Sequence, residues 1–312
     1  MFFPDLSVIK EAHERIAPHI QRTPVLTSKS IDVISGASIY FKCENFQKIG
    51  AFKARGATNA ILQLPKDTET VATHSSGNHA QAVAYAAKLR GMQAKIVMPK
   101  TAPKVKVKAV KGYGAEVIFC EPNQQAREDT LKNIVERTGA AFIHPYDNES
   151  VICGQASAAK ELIEDTPSLD FILAPVGGGG LLAGTALSTH YLSPKTQVIA
   201  GEPTGADDAY RSLAAGKILP SNKPNTIADG LLTSLGQHNF PIIQKLVKEI
   251  VTVNDEEIIA AMRLIWERMK IIIEPSCAVP LAVVLQQKGK FLNKTIGIIL
   301  TGGNVDLEKL PF

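Results

Sequence analysis

Lys53 is the residue of this sequence whose surroundings point most clearly to chemistry. It lies between Phe52 and Ala54 in an apolar, glycine-punctuated stretch at residues 45–57. Poor solvation disfavours an ammonium ion and lowers a lysine pKa, which makes a nucleophilic amine available near neutral pH. Such an amine can form a Schiff base with an aldehyde cofactor. A lysine between hydrophobic residues more often extends its amine to water, so this interpretation depends on what accompanies Lys53.

A second chemical feature is the run of glycines at 177–180, between an apolar strand pattern and an apolar helix pattern. Glycines leave backbone N–H groups unobstructed, and a helix N-terminus attracts anions, so a phosphate is the natural ligand. The spacing Gly178-x-Gly180-x-x-Ala183 also satisfies a dinucleotide fingerprint, with Glu202 at a suitable distance. A nicotinamide site and a purely structural turn remain alternatives for these residues alone.

Two polar segments could complete such a site. Residues 75–79, Ser-Ser-Gly-Asn-His, precede a helix pattern and can present hydroxyl, amide and backbone donors to a carboxylate or a cofactor oxygen. Serine and asparagine are also favoured helix caps, which is the alternative interpretation. Thr301 follows the last predicted strand, where ligands of α/β sheets bind, and its hydroxyl could hydrogen-bond a ring nitrogen. A simple Asn/Gly turn at 302–304 is the alternative there.

The elements that must position these residues are short β-branched strands alternating with helical patterns. Asn254 and Glu257 predict a capping box at one of the later helices. Such alternation requires parallel sheets with crossover helices. We predict a two-lobed α/β fold, with a small lobe at 48–140 inserted into a larger lobe made of 1–47 and 141–312, and a site in the cleft between them. The predicted strands lie at 70–73, 94–98, 116–120, 141–144, 171–176, 197–201 and 296–300.

Composition indicates an ordinary globular protein of 312 residues, 45% hydrophobic and 21% charged. The net charge is only +4, and the lysine-rich helix at 100–111 has no interleaved aromatic residues, so we expect no nucleic-acid partner. No apolar run approaches the ~18 residues of a membrane helix, so no membrane association is expected. Scattered cysteines suit reduced thiols and a cytoplasmic location. These cysteines are Cys43, Cys120, Cys153 and Cys277.

Together, these features resemble the fold-type II pyridoxal-phosphate enzymes, which share a two-lobed fold similar to tryptophan synthase β, and within them the serine/threonine dehydratase and serine racemase group. The resemblance extends over essentially the whole chain. It implies that Lys53 is the Schiff-base lysine with Phe52 beside the cofactor ring, that Asn78 contacts the ring hydroxyl, and that Thr301 meets the pyridine nitrogen. It assigns the phosphate cradle to Gly177, Gly178, Gly179 and Gly180, and the substrate carboxylate loop to Ser75, Ser76, Asn78 and His79.

Residues 266–275 and 201–210 are similar to the serine racemase branch in particular. In that branch, two carboxylates and a backbone carbonyl bind a divalent cation. The resemblance implies that Glu202, the Ala206 carbonyl and Asp208 bind Mg²⁺, or Ca²⁺ or Mn²⁺. Eukaryotic members also bind ATP at a subunit interface, and a homodimer is expected here. The positions that match the ATP site are Gln81, Tyr113, Lys270 and Asn304, whereas Lys29 and Ile49 depart from that pattern.

The resemblance implies an enzyme that dehydrates and deaminates L-threonine or L-serine to 2-oxobutanoate or pyruvate plus ammonia. Lys53 would take the Cα proton. Ser76 matches the hydroxyl that serves the opposite cofactor face in serine racemases, where many dehydratases carry alanine. Serine racemase and threo-3-hydroxyaspartate dehydratase are therefore alternatives. A nicotinamide-dependent oxidoreductase would leave Lys53 and residues 75–79 without roles, and the intact lysine motif disfavours an inactive binding paralogue.

Overall fold

Two sheets organise the chain, one of six strands and one of four. The computed structural model describes residues 2–312, apart from the side chain of Val105. The strands are β1 (Val25–Leu26), β2 (Ser38–Cys43), β3 (Thr70–His74), β4 (Gln93–Pro99), β5 (Glu116–Cys120), β6 (Ala141–Phe142), β7 (Phe171–Pro175), β8 (Gln197–Pro203), β9 (Val247–Val253) and β10 (Thr295–Leu300). The larger sheet has the order β1-β2-β10-β7-β8-β9, and the smaller has the order β5-β4-β3-β6.

Neighbouring strands are parallel in both sheets, except that β1 pairs antiparallel with β2 at the edge of the larger sheet. Parallel strands need crossover connections, and helices supply them here. The predicted α/β fold with parallel-rich sheets is confirmed. The helices are α1 (Leu6–Ile16), α2 (Lys29–Ser35), α3 (Lys53–Leu62), α4 (Asn78–Leu89), α5 (Lys104–Gly112), α6 (Gln124–Thr138), α7 (Glu149–Glu164), α8 (Gly180–Leu192), α9 (Asp208–Ala215), α10 (Asn239–Leu246), α11 (Asp255–Met269), α12 (Pro275–Gln286) and α13 (Lys288–Phe291).

The strands of the smaller sheet all come from one continuous part of the chain. They lie between Thr70 and Phe142, whereas the strands of the larger sheet come from before and after that part. Strand β6 starts just beyond residue 140 and still pairs with β3 through Ala141 and Val71. The division into a lobe at 48–140 and a lobe made of the remainder stays a prediction.

Helix α7 lies at the centre of the packing that positions the site. It packs against α3, which starts at Lys53, and against α8, which starts at the end of the glycine run. Residues of α7 and α8 share one apolar core with strands β7 and β8, including Ile152, Leu182 and Ile172, all fully buried. The two segments with the clearest chemical signals are therefore joined through one rigid helix.

A buried ionic cluster fixes α3 to the larger sheet and to α7. The guanidinium of Arg55 meets Glu44 through Nε and Nη2, each at 2.7 Å. It meets Glu161 through Nη1 and Nη2, each at 2.8 Å. Lys42 Nζ lies 2.7 Å from Glu161. Because these four side chains are at most 1% exposed, the charges are desolvated and depend on one another.

The predicted helix caps are confirmed at one helix and not at another. Asn254 and Glu257 form the predicted capping box at the start of α11. By contrast, the N-cap residue of α4 is Gly77, which has no side chain to bond the first turn of the helix. Neither serine of the 75–79 segment therefore caps α4. Every helix among residues 2–312 is too short or too polar to serve as a transmembrane span.

Candidate active site

Lys53 is placed at the carboxyl edge of the larger sheet by backbone contacts. The N–H of Phe52 donates to the carbonyl of Thr301 at 2.9 Å, and Ala51 forms an isolated antiparallel bridge with Gly302. Since Thr301 directly follows β10, these contacts bring the first residue of α3 beside the end of that strand. The structure thus brings together two residues that are about 250 positions apart in the sequence.

The Lys53 amine is desolvated but not isolated. Its Nζ donates to the carbonyl of Pro145 at 2.6 Å and lies 5.2 Å from the centroid of the Phe52 ring. Burial lowers the pKa of Lys53 to about 8, against the attraction of the Glu274 carboxylate. A much larger neutral fraction than in an ordinary lysine is therefore available near neutral pH, as the flanking residues predicted.

Thr301 has a buried hydroxyl with no partner. Its side chain is 3% exposed and lies near the Cys277 thiol, but Oγ1 makes no hydrogen bond of ordinary geometry among the described residues. A buried polar group is normally hydrogen-bonded, so a ligand that bonds the Thr301 hydroxyl would account for this exception. The glycine run follows β7, which neighbours β10 in the sheet, so Thr301 and the glycines lie at the same edge.

The glycine run leaves backbone donors open. In the part of the chain that the structure describes, the backbone N–H groups of Gly177, Gly178 and Gly179 make no hydrogen bond. Gly179 has a φ of 91°, which side chains rarely adopt. A Cβ on Gly178 would lie 2.2 Å from the ring of Tyr146. Unpaired N–H groups at the start of α8, on residues that cannot carry side chains, suit an anionic group.

The 75–79 segment forms the loop between β3 and α4. Ser75 Oγ accepts the N–H of Gly77 at 3.3 Å, and Ser76 is half-buried. The ring of His79 is 3% exposed, and its Nε2 lies 3.0 Å from the carbonyl of Ile143. Burial holds the pKa of His79 well below its usual value. The His79 ring is thus buried, with its Nδ1 unpaired among the described residues, and the role of His79 in this loop stays a prediction.

Asn78 is held between two polar side chains. Its Nδ2 donates to the carboxylate of Glu274 at 2.9 and 3.1 Å, and its Oδ1 accepts from Asn304 Nδ2 at 2.8 Å. Burial raises the pKa of Glu274 to about 7. The sequence predicts no role for Glu274 beyond its place in the segment 266–275, which is similar to the serine racemase branch. The local signal that could have identified Glu274 is an acidic residue directly before Pro275 at the start of α12.

The candidate cation ligands lie near the end of β8, with Glu202 in the strand itself and Ala206 and Asp208 just after it. Both oxygens of Glu202 accept backbone N–H groups at 2.8 Å, from Ala209 and Tyr210. Both oxygens of Asp208 are buried, and although the Ser221 hydroxyl is near, they make no hydrogen bond of ordinary geometry among the described residues. Burial raises the pKa of Glu202 to about 8 and that of Asp208 to about 6. Within residues 2–312, no three His, Cys, Asp or Glu side chains cluster as metal ligands, and the assignment of Glu202, the Ala206 carbonyl and Asp208 to a cation stays a prediction.

The four residues that match a nucleotide site are brought together only in part. Gln81 lies one turn before Tyr85 in α4, and the ring of Tyr85 meets that of Tyr113 edge-on, with centroids 6.1 Å apart. Lys270 is exposed and ends α11. Asn304 contacts Asn78 and the carbonyl of Ile49. The nucleotide assignment stays a prediction.

The residues present fit pyridoxal phosphate. A desolvated amine suits its aldehyde, the unpaired Thr301 hydroxyl suits its ring nitrogen, and the open N–H groups of the glycine run suit its phosphate. All three groups lie at the same edge of the larger sheet.

Comparisons with known proteins agree with this geometry. The family described as pyridoxal-phosphate dependent enzyme matches residues 16–302. The beta-hydroxyaspartate dehydratase of Paracoccus denitrificans (strain Pd 1222) is 49% identical, covering 100% of both chains. The serine racemase of Dictyostelium discoideum is 51% identical, covering 98% of this chain and 96% of the relative. The crystal structure of a threonine deaminase from T.th. has a TM-score of 0.94 at 44% identity, covering 97% of this chain and 99% of that one. The chain belongs to the family of pyridoxal-phosphate dependent enzymes.

Proposed function

We propose that this enzyme uses pyridoxal phosphate to dehydrate and deaminate a small β-hydroxy amino acid. The observation that carries the proposal is the desolvated amine of Lys53, with a pKa of about 8, beside the unpaired hydroxyl of Thr301. When bound, the cofactor supplies an electron sink that acidifies the Cα–H bond of an attached amino acid. Family membership removes the nicotinamide interpretation of the glycine run.

Lys53 both holds the cofactor and acts as the base. Once the amino group of the substrate has displaced it from the cofactor, the neutral Lys53 amine would take the Cα proton, and the carbonyl of Pro145 at 2.6 Å is placed to accept a hydrogen bond from the resulting ammonium. Phe52 lies beside the lysine and can pack on the cofactor ring. The hydroxyl of Thr301 would hydrogen-bond the ring nitrogen of the bound cofactor without adding a full charge, and a neutral ring would favour elimination because it stabilises a negative charge at Cα less strongly.

The remaining cofactor and substrate contacts come from the two loops. The N–H groups of Gly177, Gly178, Gly179 and Gly180 bind the phosphate. Asn78, held in place by Glu274 and Asn304, contacts the ring hydroxyl. Ser75, Ser76, Asn78 and the backbone of His79 bind the substrate carboxylate.

The substrate class follows from the relatives. Their names specify beta-hydroxyaspartate, serine and threonine, which all carry a hydroxyl on Cβ. L-threonine, L-serine and threo-3-hydroxyaspartate are therefore the candidate substrates, and the products are the corresponding 2-oxo acid and ammonia. The Cβ–O bond breaks as the Cα proton is removed, and the departing hydroxide takes a proton from a nearby donor and leaves as water. The enamine that forms converts to an imine, which one water molecule hydrolyses to the 2-oxo acid and ammonia.

Serine racemisation is a second candidate activity because of Ser76. The hydroxyl is half-buried in the loop before α4 and is not consumed in capping that helix. Racemisation requires acid/base groups on both faces of Cα, and Ser76 is the candidate for the face opposite Lys53. A serine racemase from Dictyostelium discoideum at 51% identity supports this activity.

Four further features belong to this proposal. A divalent cation, Mg²⁺ or Ca²⁺ or Mn²⁺, binds Glu202, Asp208 and the Ala206 carbonyl, which the unpaired buried oxygens of Asp208 support. ATP is the candidate effector at Gln81, Tyr113, Lys270 and Asn304, although Lys29 and Ile49 depart from the pattern of the members that bind it. We infer a homodimer from the resemblance to the serine racemase branch. The protein is cytoplasmic, which the four buried cysteines, all free thiols, support.

The test is a substrate panel assayed for both 2-oxo acid and D-amino acid. Wild type should produce 2-oxo acid from at least one of the three substrates. Ser76→Ala should suppress D-serine formation by ~10²–10⁴-fold and pyruvate formation far less. Ser75→Ala is the matched comparison, and because its hydroxyl braces the loop it should lower both products together. If no substrate yields 2-oxo acid, dehydration is wrong; if Ser76→Ala lowers both products equally, Ser76 only binds substrate.

A further inference from the structure

The turn at residues 236–239 packs directly on the glycine run. Asn239 is fully buried, and its Nδ2 donates to the carbonyl of Gly178 at 2.8 Å. The N–H of Gly236 donates to the same oxygen at 3.2 Å. The C=O and N–H of a planar trans peptide point in opposite directions. Holding the Gly178 carbonyl against this turn therefore directs the N–H of Gly179 away from it.

Asp147 is the residue that holds this turn. Its Oδ1 accepts the backbone N–H of His238 at 2.7 Å, and its Oδ2 accepts that of Gln237 at 2.9 Å. The ring nitrogen Nδ1 of His238 also lies 3.1 Å from Oδ1. The carboxylate of Asp147 thus satisfies two consecutive backbone donors just before α10, as a helix-capping residue does.

Asp147 also belongs to a segment that reaches the reacting end of the site. Within residues 144–147, the carbonyl of Pro145 accepts from Lys53, and the ring of Tyr146 lies over Gly178. The N–H of Asp147 donates to His144 Nδ1 at 2.8 Å. One short segment therefore contacts the lysine on one side and the glycine run on the other.

We propose that Asp147 is a positioning residue that sets the phosphate affinity of the glycine run. The inference rests on the proposed phosphate role of that run. Asp147 acts through Gln237, His238 and Asn239, which fix the direction of the Gly178–Gly179 peptide. Its own charge works against this role, because a carboxylate near a phosphate disfavours binding. Orientation and charge therefore predict opposite effects of removing Asp147.

The experiment compares two cofactor analogues that differ in the phosphate. Apoprotein is titrated by equilibrium dialysis with pyridoxal phosphate and with 5-deoxypyridoxal, which keeps the aldehyde and the ring. Asp147→Ala should weaken the binding of pyridoxal phosphate about tenfold, the effect of losing a hydrogen bond to a charged group. The affinity for 5-deoxypyridoxal should not change.

Asp170→Ala is the matched control. Asp170 also accepts a backbone N–H, that of Thr295 at 2.9 Å, but it lies just before β7, at the opposite edge of the sheet from the glycine run. It should leave both affinities at their wild-type values. If Asp147→Ala does not give a folded protein by circular dichroism, Asn239→Ala takes its place, with the same expected loss for the phosphate ester alone.

The outcomes separate this inference from the proposed function. Wild-type phosphate preference that persists in Asp147→Ala, or that increases, would overturn the positioning role and leave the function standing. Equal weakening of both analogues would also overturn it, because the effect would then be general. If wild type itself does not prefer the phosphate ester, the glycine run is not a phosphate cradle and the proposed cofactor geometry fails with it.

Discussion

The buried cluster around Arg55 predicts a large loss of stability from a single substitution. Among the described residues, Arg55→Ala would leave Glu44 and Glu161 buried with Lys42 as the one permanent positive charge beside them, because His13, 3.7 Å from Glu161, has a pKa lowered by burial. Removing one partner of a buried pair in this way costs ~3–5 kcal/mol. Arg22 is the matched control, since it also meets two carboxylates but is 48% exposed. Arg22→Ala should cost less than ~1 kcal/mol.

The size of the Arg55 effect should depend on pH. Burial alone would raise the pKa of Glu161, but the hydrogen bonds and charge of Arg55, followed by Lys42, lower it overall. A carboxylate whose pKa is lowered by folding stabilises the protein above its ordinary pKa, and this stabilisation is lost as the pH falls through the lower value. In Arg55→Ala the stranded carboxylate of Glu161 can take up a proton on acidification. The difference from wild type should therefore shrink at acidic pH.

The assay is urea unfolding followed by circular dichroism, for wild type and both variants at neutral and mildly acidic pH. Arg55→Ala should lower the free energy of unfolding far more than Arg22→Ala does. The difference between the two variants should be smaller at mildly acidic pH. A loss for Arg55→Ala no larger than that for Arg22→Ala would refute the reasoning, as would a gap that grows in acid. Either result would mean that the cluster is hydrated or is not formed as the structure shows.

Three further predictions concern the site. Mg²⁺ at a hundredfold excess over its Kd should stabilise the protein by about 2.7 kcal/mol in thermal unfolding. Asp208→Asn should abolish this stabilisation. In wild type the stabilisation should grow as the pH rises through about 6 and about 8, where Asp208 and Glu202 ionise. Thr301→Val should raise the melting temperature of the apoprotein, because it removes an unpaired buried hydroxyl, while lowering activity. The rate at which apoprotein takes up pyridoxal phosphate should rise with pH and level off above about 8, as Lys53 becomes neutral.

Much of the fold follows from local sequence patterns, and the exceptions have physical causes. Strands β4, β5, β7 and β10 are β-branched apolar runs, and the sequence places them within a residue or two. Strand β2 is absent from the predicted strands. It contains Lys42, a charged residue that a sequence pattern treats as exposed. The structure buries Lys42 completely against Glu161. A charge that is paired across the fold cannot be recognised from its neighbours in the sequence.

The same distinction applies to the site. The flanking residues of Lys53 predict its lowered pKa, because desolvation is largely local there. Its hydrogen-bond partner, the carbonyl of Pro145, lies 92 residues away and leaves no local signal. The inward direction of the His79 ring and the contact between Glu274 and Asn78 depend on packing between distant segments. Such contacts between distant segments can be identified only from the folded structure.

The assignment of Lys53 as the residue that bonds the cofactor is tested most directly by chemical reduction. The holoenzyme is treated with borohydride and digested, and the peptides are analysed by mass spectrometry. We predict the mass of the reduced cofactor on the peptide that contains Lys53, and no such mass in Lys53→Ala. A cofactor attached to another lysine, or a protein that binds pyridoxal phosphate without any reducible bond to Lys53, would contradict the assignment.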